Sequence, residues 1–164
     1  MAPAGGSHAV EVLQQFAGRL DYRACERAGR CPVLLMQLRF QDGGWWDRIA
    51  EEPTAPQLNA PAALFAQEDA APLLREILME AWSVSRTMPR AASFLFGLAP
   101  RVTQAISRLA IQDIERIVAQ NARHLRPRWE HSHAFWPRLL RAATGTDNEA
   151  MMDMQLHSLS LLGS

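Results

Sequence analysis

Pro89, Gly97 and Pro100 constrain the middle of this chain more than any other residues. Proline lacks the N–H a helix interior needs, yet its fixed φ suits a first helical position. Pro89 therefore stops the amphipathic stretch before it, and Pro100 sits where a new helix begins. Gly97 can take the left-handed conformation that closes a helix. Ala91, Ala92, Leu95 and Phe96 give the first helix an apolar face. Val102, Ala105, Ile106 and Leu109 recur at helical spacing in the second. Arg90–Leu109 thus reads as two short helices about a tight turn. Arg101, Gln104, Ser107 and Arg108 are left on the outer face of the second helix. Those side chains can hydrogen-bond phosphates and base edges. A small residue, a glycine four positions on and then an amphipathic basic helix form the pattern of a helix-turn-helix. A purely structural helical hairpin shares that pattern.

The rest of the chain carries the same periodicity. Leucine and alanine are abundant and β-branched residues sparse, which favours helix. The expected fold is all-α, a multi-helix domain containing the helix-turn-helix-like hairpin. Helices are expected over His8–Leu20, from a cap at Asp21 to about Arg30, over Pro72–Met88, Ala110–Ala122, Trp129–Ala143 with an interruption at Pro137, and Glu149–Leu162. The run PVLLMQLRF after Cys31 suits a strand or a buried helix, and its helical neighbours favour helix. Asp42-Gly43-Gly44 reads as a turn. Three prolines in Glu51–Pro61 mark a linker. It separates an N-terminal helical region, 1–60, from a helical domain, 61–164.

Net charge is zero, but the arginines are unevenly placed; there is no lysine. Arg86–Arg141 holds ten arginines against three acids, a net +7, and the remainder is −7. A basic block suits a polyanion or an acidic protein surface. Arg123, Arg126 and Arg128 cluster about Pro127 as candidate phosphate contacts. Trp45 and Trp46 are candidate partner contacts, as are Met151, Met152, Leu156 and Leu159 of the methionine-rich last helix. That helix, packed on its own core, would explain the same residues.

Cys25 and Cys31 are too few for a disulfide framework and lack zinc-pair spacing. His131 and His133 are two apart, and on a helix such residues face different ways. No metal site is expected, and no cofactor. Phosphate loops and nucleophile motifs are absent from the sequence, so an enzyme is not expected. No apolar run approaches a membrane span. The segment MAPAGGSH lacks the charged lead and apolar core of a secretory signal, so a cytoplasmic protein is expected.

The segment from Phe96 to Phe135 resembles the flagellar transcriptional activator D-subunit family, FlhD. The likeness extends over about 72–140. Phe96-Gly97-Leu98 stands at that family's Phe-Arg-Leu turn and Leu109-Ala110-Ile111 at its helix junction. Ala119-Gln120-Asn121 stands at the end of its second helix, and Pro127-Arg128-Trp129-Glu130-His131 at its last motif. The resemblance implies an all-α protein that dimerises and joins a zinc-bearing FlhC-like subunit to activate promoters. It also implies DNA contact through Phe96 and Asn121. The family's turn arginine is Gly97 here, and its cross-linking cysteine falls at about Leu125.

The first expectation is therefore a DNA-associated transcriptional regulator, a homodimer or larger, acting on double-stranded DNA with a partner subunit. The alternative is a helical adaptor or scaffold in a bacterial secretion or conjugation assembly that does not bind DNA.

Overall fold

The computed structural model describes residues 7–52 and 61–162. Most of the Pro-rich stretch expected as a linker lies outside the described residues, as does most of MAPAGGSH. Among the described residues the protein is all-α, with nine α-helices. These are α1 (His8–Phe16), α2 (Tyr22–Gly29), α3 (Gly43–Glu51), α4 (Gln67–Thr87), α5 (Pro89–Phe96), α6 (Pro100–Arg108), α7 (Ile111–Asn121), α8 (Phe135–Thr144) and α9 (Asn148–Ser160). The strands β1 (Met36–Gln37) and β2 (Arg126–Pro127) pair in one two-stranded sheet.

Local chemistry places several helix ends. The Asp21 carboxylate accepts from Ala24 N at 2.8 Å and caps α2. Asp42 accepts from Trp45 N at 3.0 Å, so Asp42-Gly43-Gly44 opens a helix as well as a turn. Asp147 caps α9 from Glu149 N at 2.8 Å. Such caps satisfy N–H groups that have no partner in the first turn. Pro89 and Pro100 each stand at a first helical position, and Gly97 ends α5 with φ 64° and ψ 41°.

Three expectations need correction. α4 begins at Gln67, five residues before Pro72, which lies inside it. So near the N-terminus the proline removes a single intrahelical bond, and the helix tolerates it. The run PVLLMQLRF is not helical: its backbone bends and contributes β1. Its groups are satisfied by distant chain, as where Arg128 N donates to Leu35 O at 2.7 Å. Trp129–Ala134 forms turns, and α8 starts only at Phe135, which puts Pro137 in its first turn.

The chain divides into two compact units, Met1–Leu35 with Pro127–Ser164, and Met36–Arg126. The boundary expected between residues 60 and 61 falls inside the second of them. In the first unit Ala9, Val12, Phe135, Leu139, Leu140, Met151 and Met154 form the core. Arg27 ties α2 to the turn between α8 and α9. Its guanidinium donates to Asn148 Oδ1 at 2.9 Å, Asp147 O at 2.9 Å and Ala142 O at 3.1 Å. Carbonyls at a helix end need such donors.

In the second unit α4 is the central helix. Leu74, Leu78 and Ala81 of α4 are fully buried, with Val102 and Ile106 of α6 and Ile114 and Ile117 of α7. Each large aliphatic side chain so buried contributes on the order of 2 kcal/mol. The Trp82 indole donates to Leu109 O at 2.9 Å, and Arg75 grips the Glu115 carboxylate with two nitrogens at 2.8–3.0 Å. These contacts hold α4 to the α6–α7 junction and to α7. The orientation of α6 follows from that packing.

Candidate functional site

α5, the Gly97 turn and α6 form the hairpin read from the sequence. The left-handed Gly97 lets Leu98 N donate to Ser93 O at 3.1 Å, while the Ser93 hydroxyl donates to Leu98 O at 2.5 Å. Gln41 reaches across to Gly97 O at 2.5 Å, and Ala99 N donates to Phe40 O at 2.9 Å. The turn is thus held from both sides. Ala92, Val102, Thr103 and Ile106 face inward, leaving Arg101, Gln104 and Arg108 exposed on one face of α6.

That face is not basic. A cleft of about 350 Å³ runs along it, lined by Arg101, Gln104 and Arg108 and by the carboxylates Asp47, Glu51 and Asp113. Arg101 forms an ion pair with Asp47, and Asp113 pairs with Arg116. Asp113 also accepts from Ala110 N at 2.9 Å, the main cause of its lowered pKa. Asp47 and Glu51 are four apart on α3, so both fall on one side of that helix. Sequence reading did not connect them with α6, because their approach depends on how α3 packs.

The remaining expected contacts are dispersed. Ser107 is half-buried and donates to Gln104 O at 2.8 Å within its own helix. Phe96 is half-buried. Asn121 is 1% exposed, so the DNA contact expected of it is corrected to a core position. It ends α7, and its inward direction follows from the spacing of Ile114, Ile117 and Val118 on the same buried face. Arg123 is exposed. Arg126 donates to Ala62 O at 2.7 Å and to its neighbouring carbonyls at 3.3 Å, so it serves the backbone. Arg128 belongs to the first unit; its guanidinium stacks 4.8 Å over Trp129, and burial lowers its pKa.

Trp45 and Trp46 are 3% and 0% exposed, which corrects their expected role at a partner surface. The Trp46 indole donates to Leu38 O at 3.2 Å. Trp45 stands edge-on to Trp46, with ring centroids 5.4 Å apart. Met151 likewise lies in the core of the first unit. Met152 and Leu156 are exposed and Leu159 half-exposed, so the outward part of the expected α9 surface is these three.

His124 stands close to His131 and His133 in sequence, and the structure gives it a buried setting. It is 2% exposed, edge-on to Trp45 at 5.5 Å, and its Nε2 has no hydrogen-bond partner among the described residues. Arg39, with φ 47°, holds its guanidinium 5.4 Å over the Trp45 ring. Burial, then the charges of Arg39, Arg126 and Arg123, push the imidazole down to about 4. A neutral imidazole at physiological pH is the result.

In the first unit a second cleft of about 340 Å³ has the same mixed character, with Arg138 and Arg141 beside Asp147 and Asp153. Among the described residues no group of three or more His, Cys, Asp or Glu is placed to hold a metal ion, and no helix is long and apolar enough to cross a membrane. Compared with known proteins, the chain matches no family model, no curated protein and no solved structure.

Proposed function

We propose that this chain is a helical adaptor that binds other proteins, of the kind used in a bacterial secretion or conjugation apparatus. The observation that carries the reading is the charge of the α6 face. Two arginines there share a cleft with three carboxylates, and one arginine is already paired with Asp47. A polyphosphate backbone approaching this face would meet Asp47 and Glu51 as well as Arg101 and Arg108, and like charges repel it. A protein surface carrying both signs has no such difficulty. The test is fluorescence anisotropy of a labelled duplex at low salt. The adaptor reading expects no salt-sensitive binding by the natural chain. It expects binding to appear in the double variant Asp47→Asn, Glu51→Gln, which removes two of the three carboxylates that line the cleft. Binding by the natural chain that weakens as salt rises would overturn the reading.

A second reading, a DNA-associated transcriptional regulator of the FlhD type, has its own support in the hairpin. Two short helices join through a left-handed glycine, with Gln104 and Arg108 exposed on the second. In that case replacing Arg101 and Arg108 with alanine weakens duplex binding and reduces its salt dependence. A partner subunit and oligomerisation would then supply sequence choice.

A further inference from the structure

Two histidines from opposite ends of the chain meet within the first unit. The rings of His8 and His133 have centroids 4.3 Å apart and planes at 51° to one another. Helical spacing argues against a shared role for His131 and His133, but the chain there is not helical. Trp129, with φ 50°, bends it. Ser132 N donates to Trp129 O at 2.9 Å, and the Ser132 hydroxyl accepts from Phe135 N at 3.1 Å. Those turns leave His133 exposed. Ala9 N donates to Glu130 O at 3.0 Å, which seats the start of α1 beside them. His8 Nδ1 stands 3.9 Å from a Glu11 carboxylate oxygen, one turn further along α1. Its Nε2 is buried and has no hydrogen-bond partner among the described residues, and the same is true of the hydroxyl of the adjacent Ser7. A buried polar atom without a partner is uncommon enough to need a reason.

We propose that His8 and His133 together bind a divalent ion of a late first-row transition metal, with His8 Nε2 as one ligand and a ring nitrogen of His133 as the other. Imidazole is a ligand type these ions favour. Two imidazoles sharing an ion at about 2.0–2.1 Å from each nitrogen have ring centres on the order of 4.5–5 Å apart, so a small rotation of the exposed His133 ring completes the pair. Glu11 stands where a metal-binding imidazole carries its outer carboxylate, at Nδ1, which leaves Nε2 for the ion. Among the described residues no third histidine, cysteine or carboxylate joins the pair in a metal-holding group. A structural zinc site takes more protein ligands than this, so here water fills the other positions and the ion exchanges. Copper(II) binds most tightly, as it does at nitrogen donors generally. The ion joins α1 to the turns before α8 and so stabilises the folded first unit. No residue of the α6 face takes part, and the inference stands apart from either reading of that face.

The experiment is isothermal titration calorimetry of the full chain, without an affinity tag, using Cu(II), Zn(II) and Mg(II) up to about 1 mM, so that micromolar to submillimolar sites are seen. The natural chain is expected to bind a single Cu(II), to bind Zn(II) more weakly, and to ignore Mg(II), which takes oxygen ligands. His8→Gln and His133→Gln should each lower Cu(II) affinity by more than about tenfold, and Glu11→Gln, which keeps both imidazoles, by roughly tenfold. His131→Gln changes an exposed neighbour outside the pair and should leave the affinity as it was. His133 is exposed, so its variant is expected to fold, with circular dichroism confirming this. Zn(II) should raise the thermal midpoint of the natural chain and leave that of His133→Gln unmoved. Four results would overturn the proposal. They are no uptake of Cu(II), unchanged affinity in His133→Gln, a loss in His131→Gln as large as in His133→Gln, or Mg(II) bound as well as Cu(II), which would put the ion on carboxylates.

Discussion

Acidification should destabilise this protein through His124 before its carboxylates titrate. The folded-state pKa is about 4, against 6.5 for an unperturbed imidazole. The depression comes first from burial beside Trp45, then from Arg39, Arg126 and Arg123. With the folded value below the unfolded one, the unfolded chain binds more protons between these limits. Stability is therefore complete above about pH 6.5 and is lost as pH falls toward 4. The two values give a loss of about 2 kcal/mol at pH 5 and about 3 kcal/mol at pH 4. The assay is urea denaturation at pH 7, 6 and 5, followed by circular dichroism, on the natural chain and on His124→Gln. Glutamine does not titrate, so whatever it does to absolute stability, it should remove most of the pH slope. The other four histidines are common to both proteins. Parallel slopes in the two proteins would refute the assignment of a buried neutral imidazole at this position.

Other expected outcomes follow from packing and exposure. Leu78→Ala, at a fully buried position of α4, should lower unfolding free energy by about 2–5 kcal/mol in denaturant titration. Gly97→Ala forces a β-carbon into a left-handed backbone and should destabilise by about 1–2 kcal/mol, read as a lower denaturation midpoint. Cys25 is exposed, while Cys31 is half-buried with its thiol pKa raised by that burial. Mass spectrometry after brief alkylation at neutral pH should find Cys25 modified well before Cys31.

The mixed-charge cleft bears on how much a local charge count says about function. The net +7 of Arg86–Arg141 is a property of the chain, not of a surface. Its members serve unlike purposes once folded. Arg101 pairs with Asp47 and Arg116 with Asp113, while Arg126 binds backbone carbonyls and Arg128 stacks on Trp129. Arginine is well suited to such structural roles, since its fork bonds carbonyls and carboxylates while its plane lies on aromatic rings.

What the sequence determined by itself is what neighbouring residues decide. The all-α class, the Asp21 cap, the Pro89 and Pro100 helix starts and the Gly97 turn all follow from interactions within four or five residues. So does the face of α6 that carries Arg101, Gln104 and Arg108. Tertiary structure decided what stands opposite that face. Asp47 and Glu51 are fifty or more residues from Arg101 and Arg108 in sequence, and only the packing of α3 on α6 turns a basic helix into one wall of a mixed-charge cleft. It also decided the fates of Trp45, Trp46, Asn121 and His124, whose types are at home both in a core and at a surface. PVLLMQLRF failed as a helix for the same reason. Its backbone groups are satisfied by residues as far as about ninety positions away, such as Arg128, and periodicity within a short window carries no record of such partners.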